Sequence, residues 1–367
     1  VAVGKCLKLL DQTTFFVSLA YNQMLKLRVY ISPEQKEITE PFLKLYEPLS
    51  YQGTVTPNRT ESRRLKQQTK ECRFCKRKKG EVTFKQDTHL ISNLLGQNNF
   101  YSSDECDACN QYFKEAEGDL AKYLGISRTV DHLRNDVKAP AFESSGGGVR
   151  ARNLGNDFLW FQNVKPGNGE FNVDLQNGKA NISMETQKFK PENVYKALLK
   201  MAIGNLPAEE VNSYDAILDF LMNMDSRTGF NHIKRVVVTE TELTLARPFG
   251  VIFRKRDDIS QSELPQFIFC LYCGSLLFQL NIPGYNSRAL PAHHATFPVA
   301  PYIQLNINDP QPNIIDAVWT EVLSSGTATT NGKKLVMEFP VDNLVGIPLG
   351  IDLEKWLGDL DKGRLNR

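Results

Sequence analysis

CRFCKRKKGEVTFKQDTHLISNLLGQNNFYSSDECDACNQYF, residues 72–113, is the stretch that decides how this chain folds. Two Cys-x-x-Cys pairs, Cys72 with Cys75 and Cys106 with Cys109, bracket a lone histidine, His89, and Asn110 follows the second pair directly. Each pair presents two thiolates from a tight turn, and four thiolates close a tetrahedral Zn²⁺ site of the structural kind. The zinc is therefore read as a staple, and it brings His89 and Asn110 together.

The other cysteines do not compete with that reading. Seven is an odd number with four in metal-type spacing, which argues for thiols held by zinc in a reducing compartment rather than a disulfide framework. Cys6 reads as an incidental thiol. Cys270 and Cys273 form a third pair, but inside the apolar run FIFCLYCGSLLFQL and without a partner pair, so they read as buried small hydrophobes. His293 and His294 sit in the Pro-bounded stretch PAHHATFP and read as loop residues rather than a second metal site.

Three pieces, CRFC, then THLISNLLG, then ECDACNQYF, resemble the HNH endonuclease family, over about a fifth of the 367 residues. The resemblance implies a ββα-metal fold with a catalytic histidine on its hairpin, here His89, and a metal-binding residue on its helix, here Asn110. It implies that His89 takes a proton from the attacking water, work suited to an imidazole with an ordinary pKa of about 6.5. It also implies that Asn110 lends an amide oxygen to a catalytic Mg²⁺ or Mn²⁺ separate from the structural zinc. The other reading of Asn110 is a helix-start residue capping backbone amides. The middle Asn of the motif, which orients the histidine, is Asn98 or Asn99. Two positions depart from the pattern: Thr88 stands where relatives carry Asp or Glu, and Ser92 where many carry Pro. Asp87 would face the opposite side of the strand from that position unless the hairpin is bulged. Glu117, two helical turns after Asn110, is a further candidate ligand or else a surface glutamate.

Charge gathers beside the same stretch. Residues 59–79 hold ten Lys/Arg against Glu61 and Glu71, although the whole chain is only +2. Such a block suits a phosphate backbone, and Arg73, Lys76, Arg77, Lys78 and Lys79 are its candidate DNA contacts; the alternative is a solvated charged linker.

The rest of the chain frames three units: 1–58, a short N-terminal β segment; 59–125, the zinc-stapled ββα-metal module; and 126–367, a larger mixed α+β domain. FFVSLAY and LKLRVYI read as a strand pair, and four prolines from Pro33 to Pro57 then argue against one long helix. One helix is expected from Glu105 to about Leu124. SSGGGVRARN reads as a flexible loop, without the Gly-Lys-Ser/Thr ending of a P-loop. FLWFQNV, EFNVDL and ANISME read as strands, the last two joined at Asn177-Gly178. Two amphipathic helices follow, one with Val194, Leu198 and Met201 on a single face, the other starting at Pro207 with Val211, Tyr214, Leu218 and Leu221. IKRVVV, TLARPFGVIFR, FIFCLYCGSLLFQL and YIQLNI close the chain as separate strands. The expected class is α+β.

Apolar content of 41% and charged content of 23% are those of a globular protein, and no apolar run reaches the roughly 18 residues that span a bilayer. The N-terminus does not read as a signal peptide, so a cytoplasmic location and no membrane partner are expected. The expected function is a metal-dependent endonuclease hydrolysing DNA, and the resemblance implies a role in restriction or antiphage defence. A partner protein of such a system, or a second copy of the chain, is the expected protein partner. Two alternatives stand beside it: a zinc-stapled nucleic-acid-binding protein without the chemistry, and a structural zinc insert beside a ligand site in the C-terminal half.

Overall fold

A computed structural model describes residues 11–18, 24–31, 33–51, 59–134, 140–155, 158–163, 171–174, 179–211, 213–222, 234–261, 264–283, 298–303 and 315–338. Strands β1 (Asp11–Ser18) and β2 (Met24–Ile31) pair antiparallel, as FFVSLAY and LKLRVYI predict. Helix α1 (Pro33–Leu45) then runs through Pro41 but ends before Pro48, so the proline-punctuated stretch is not one long helix, as expected. Pro33 in the first turn has no hydrogen bond to lose, and Pro41 forfeits only one. Phe42 compensates, stacking on Tyr46 and meeting Phe253 edge-on at 5.0 Å. Strand β3 (Tyr46–Tyr51) tolerates Pro48 because among the described residues it pairs on one side only, with an irregular register at that point.

Helix α2 (Arg59–Gln68) leads into the first cysteine turn. Strands β4 (Thr88–His89) and β5 (Tyr101–Ser102) form a short antiparallel pair, followed by helices α3 (Asp107–Tyr112) and α4 (Lys114–Leu124). The single helix expected from Glu105 is therefore two, starting later. Cys106 is extended and serves as N-cap, its sulfur accepting from the Cys109 amide, and Phe113 breaks the run with ψ −7°. Helix α5 (Ser127–Val130) follows.

Strands β6 (Ala141–Glu143), β7 (Val149–Gly155) and β8 (Phe158–Asn163) make a three-stranded sheet. Half of the expected loop SSGGGVRARN is thus strand: Val149 and Ala151 alternate inward and are fully buried, with Arg150 exposed between them. Strands β9 (Phe171–Asp174) and β10 (Lys179–Glu185) pair antiparallel; the Asn177-Gly178 turn between them lies outside the described residues, as do Cys6, His293, His294 and residues 304–307 of YIQLNI.

Helix α6 (Pro191–Asn205) is buried on all sides, not on one face. It packs on α4 and on the large sheet, so even Lys196 and Lys200 are enclosed. The helix expected from Pro207 is split into α7 (Ala208–Val211) and α8 (Asp215–Met222), and its four expected core residues are buried. IKRVVV and TLARPFGVIFR are one bulged strand, β11 (Arg235–Lys255), paired along its length with β12 (Phe267–Ile282). Strand β13 (Ile315–Val322) pairs with the first half of β11 and β3 with the second. Strand β14 (Gly332–Glu338) joins β10.

Strand β12 has a core on each face. Phe267, Phe269, Leu271 and Cys273 face the α6 side, whereas Ile268, Cys270 and Tyr272 face α1 and Tyr302. At Gly274 (φ +62°) the parity flips, and Leu276, Phe278 and Leu280 face α6 instead. An extra residue in a left-handed glycine conformation produces such a shift. The architecture is α+β with antiparallel sheets. One buried cluster joins Cys72, Phe74, Phe113 and Leu120 to α6 and β12, so residues 59–125 share their core with the C-terminal half. Among the described residues no helix is long and apolar enough to cross a membrane.

Candidate functional site

The four sulfurs of Cys72, Cys75, Cys106 and Cys109 all lie within 4.8 Å of one another, the one such group of three or more metal-type side chains among the described residues. Cys72 and Cys109 are 3.7 Å apart, Cys75 and Cys106 3.8 Å. A tetrahedron with Zn–S arms of ~2.3 Å has edges of ~3.8 Å, which these two distances match, so the four cysteines fit a zinc ion. Backbone amides support the sulfurs: Cys106 N–H donates to Cys72 Sγ and Cys109 N–H to Cys106 Sγ, each at 3.4 Å. The crowded sulfurs differ in how readily they ionise. The hydrogen bond shared with Cys109 holds the Cys72 thiol down at about 5, while burial pushes Cys106 up to about 11. Cys109, hydrogen-bonded with Cys72, is also driven up.

His89 ends β4 opposite Tyr101, its ring 4.6 Å from the tyrosine ring. Its Nδ1 lies 3.2 Å from Oδ1 of Asn98. Asn98 is buried, and its Nδ2 donates to the carbonyls of Ile91 and Gly96, both at 3.1 Å. With both amide hydrogens committed, Oδ1 can only accept, so the neutral His89 ring carries its proton on Nδ1 and leaves a lone pair on Nε2. Of the two candidates for the orienting asparagine, Asn98 makes this contact and Asn99 is exposed.

Asn110 lies in α3 and donates from Nδ2 to Gln86 Oε1 at 2.9 Å. The helix is capped by Cys106 instead, so Asn110 is not the capping residue, and its oriented amide leaves Oδ1 as the acceptor end. Gln86, three residues before His89, thus ties the helix to the hairpin.

The carboxylates near the hairpin are otherwise engaged. Asp87 pairs with Arg59 and Arg63 at 2.6 Å; hydrogen bonding from Arg63 and then Arg59 holds its carboxyl down at about 2. Glu117 accepts from Ser92 Oγ at 2.7 Å and pairs with Lys200 at 3.1 Å, which makes it neither a surface residue nor a spare ligand. Thr88 is fully buried, with Lys66 Nζ 3.2 Å from its hydroxyl. Burial lowers the Lys66 pKa, opposed by Glu105 and Asp107.

Beneath the hairpin Lys200 reaches from α6 to Glu105 Oε2 (3.2 Å), Glu117 and the His89 carbonyl (3.3 Å). Burial alone would lower the Lys200 pKa, but Glu105 and Glu117 outweigh it and raise it. Glu105 nonetheless rises to about 7, because burial outweighs the attraction of Lys200. These shifts are compatible: one ammonium faces two carboxylates, and the cost of the second negative charge falls on the deeper one. The sequence offered no motif for Lys66, Lys200 or Glu105; the one signal for Lys200 is its position amid the apolar residues of α6.

The basic block divides. Arg77, Lys78 and Lys79 are exposed and Lys76 is half-buried, on the turn after Cys75. Arg77 also donates to Cys75 Sγ, and Lys79 Nζ to the Gln67 carbonyl. Arg73 does not belong to that face: its guanidinium is held by Asp104 and by the carbonyls of Ile203 and Leu206 at the end of α6.

No family model matches this chain, and neither does any curated protein or solved structure.

Proposed function

We propose that this protein is a metal-dependent endonuclease of the HNH type, with DNA as its substrate. The observation that carries the proposal is the hydrogen bond between His89 and Asn98 on a strand–strand–helix unit whose helix starts inside the four-cysteine cluster. Asn98 holds the imidazole so that Nε2 takes a proton from water as the water attacks phosphorus and the P–O bond to the leaving strand breaks. Asn110 Oδ1 is a hard oxygen donor, and Mg²⁺ keeps several waters when bound, so the residues fit a cation held largely by water and phosphate. Such a Mg²⁺ or Mn²⁺ would stabilise charge on the phosphate and the leaving oxygen. Lys76, Arg77, Lys78 and Lys79 hold the backbone, and the zinc keeps hairpin and helix in register. A role in a cytoplasmic restriction or antiphage system, with a partner protein or a second copy, follows from the HNH resemblance.

A second reading has its own observation. Thr88, at the usual acidic position, is buried against the Lys66 ammonium, which favours a nucleic-acid binder without cleavage. Supercoiled plasmid incubated with Mg²⁺, with Mn²⁺ or with neither separates the two. Nicking only with added cation supports the nuclease; binding without nicking under every condition supports the binder and sinks the nuclease.

A further inference from the structure

A cleft of about 340 Å³ opens beside the loop that orients His89, lined by Gln97, Asp131, His132, Arg134, Thr244 and Arg247. Five of these residues lie beyond residue 125 on two different elements, the turn after α5 and the bulged part of β11, while Gln97 neighbours Asn98 in sequence. The walls are fixed to one another. Gln97 N–H donates to the Arg134 carbonyl at 2.6 Å. Gly96 (φ +131°) lies so close that a Cβ there would meet Pro248 Cδ at 3.0 Å.

The one acid of the lining is turned inward. Asp131 Oδ2 accepts from the Ser275 amide and hydroxyl at 2.9 and 3.0 Å and rests on Gly274, where a Cβ would fall 2.1 Å from that oxygen. Only glycine admits the carboxylate there, and the same residue makes the bulge in β12. The residue after Asp131, His132, lies in the left-handed region (φ +52°), uncommon for a residue other than glycine. Arg134 and Arg247 stay exposed at the mouth. Two guanidiniums, an imidazole, an amide and a hydroxyl around an inward-facing acid suit a phosphate, which guanidinium forks bind by paired hydrogen bonds.

We propose that this cleft is a backbone-phosphate subsite for the nucleic-acid strand held at His89, supplied by residues outside the zinc-stapled stretch. This deepens the nuclease reading and rests on it for the identity of the strand. The test is anisotropy of a short labelled DNA duplex with the full chain, comparing wild type, Arg134→Ala/Arg247→Ala and the Lys/Lys counterpart, with thermal melts to establish folding. Expected are about tenfold weaker binding and a slope of log K against log salt reduced by about two for the alanine pair, with partial recovery in the lysine pair. Unchanged affinity and slope in a folded alanine pair overturn the subsite. Inorganic phosphate competing at micromolar concentration also overturns it, in favour of a small free phosphate ligand. The two readings fail separately. If the alanine pair weakens binding while wild type never nicks plasmid, the subsite stands and the nuclease falls. If wild type nicks and the alanine pair binds and nicks equally well, the subsite falls and the nuclease stands.

Discussion

Replacing Lys200 with methionine removes the one ammonium from a site that holds two carboxylates. Methionine keeps the apolar stem, including the packing near the Phe113 ring, 5.8 Å from the ammonium. What is lost is the ion-pair partner of Glu105, a residue with no exposed surface, 3.2 Å from the Lys200 ammonium. Glu117 keeps its bond from Ser92, so most of the penalty falls on Glu105. Removing one member of a buried pair costs ~3–5 kcal/mol, a large part of a typical total of ~5–15 kcal/mol. Urea titrations followed by circular dichroism should show that loss, and adding Glu105→Gln should return more than half of it. The pH dependence has a definite sign. A carboxyl raised from an unfolded value of ~4.3 to about 7 contributes most below the lower value and loses that contribution as pH rises through the higher one. Without Lys200 the folded value climbs further, so the deficit should be smaller at pH 6 than at pH 8. A loss under 1 kcal/mol, or a deficit that grows toward pH 6, refutes the buried triad.

Two further outcomes follow from the same geometry. Cys106→Ser should release zinc, measured with a chromogenic chelator, and unfold the hairpin in a urea titration, because metal binding supplies folding free energy; a folded variant that keeps its zinc contradicts the four-sulfur site. Asn98→Ala should leave DNA affinity within about twofold yet slow cleavage by about 10-fold or more, since the imidazole loses its tautomer and orientation; an equal loss of binding would mean that Asn98 only supports the loop.

The candidate site was more legible than the fold around it. Cysteine spacing alone predicted the cluster, and the HNH resemblance implied the hairpin and helix around it, since the motif pieces are local patterns. The buried charges were not legible: Lys66, Lys200 and Glu105 come from α2, α6 and the loop before α3, and nothing in their own neighbourhoods marks them as partners. Periodicity misjudged α6, because a helix enclosed on all sides still shows an apolar stripe. It also divided β11 in two at the polar run Thr239, Glu240, Thr241 and Glu242, where the strand instead continues through a bulge between Glu240 and Leu245. Arg73 looked like its basic neighbours, and only tertiary structure turns it toward the end of α6.

The most direct measurement is the rate of supercoiled-plasmid nicking with Mn²⁺ by wild type and by His89→Ala, at matched zinc content and matched DNA affinity. With His89 as the base, the variant should bind as wild type does and nick ~10²–10⁴-fold more slowly. Equal nicking by the two proteins, or none by either, would contradict it.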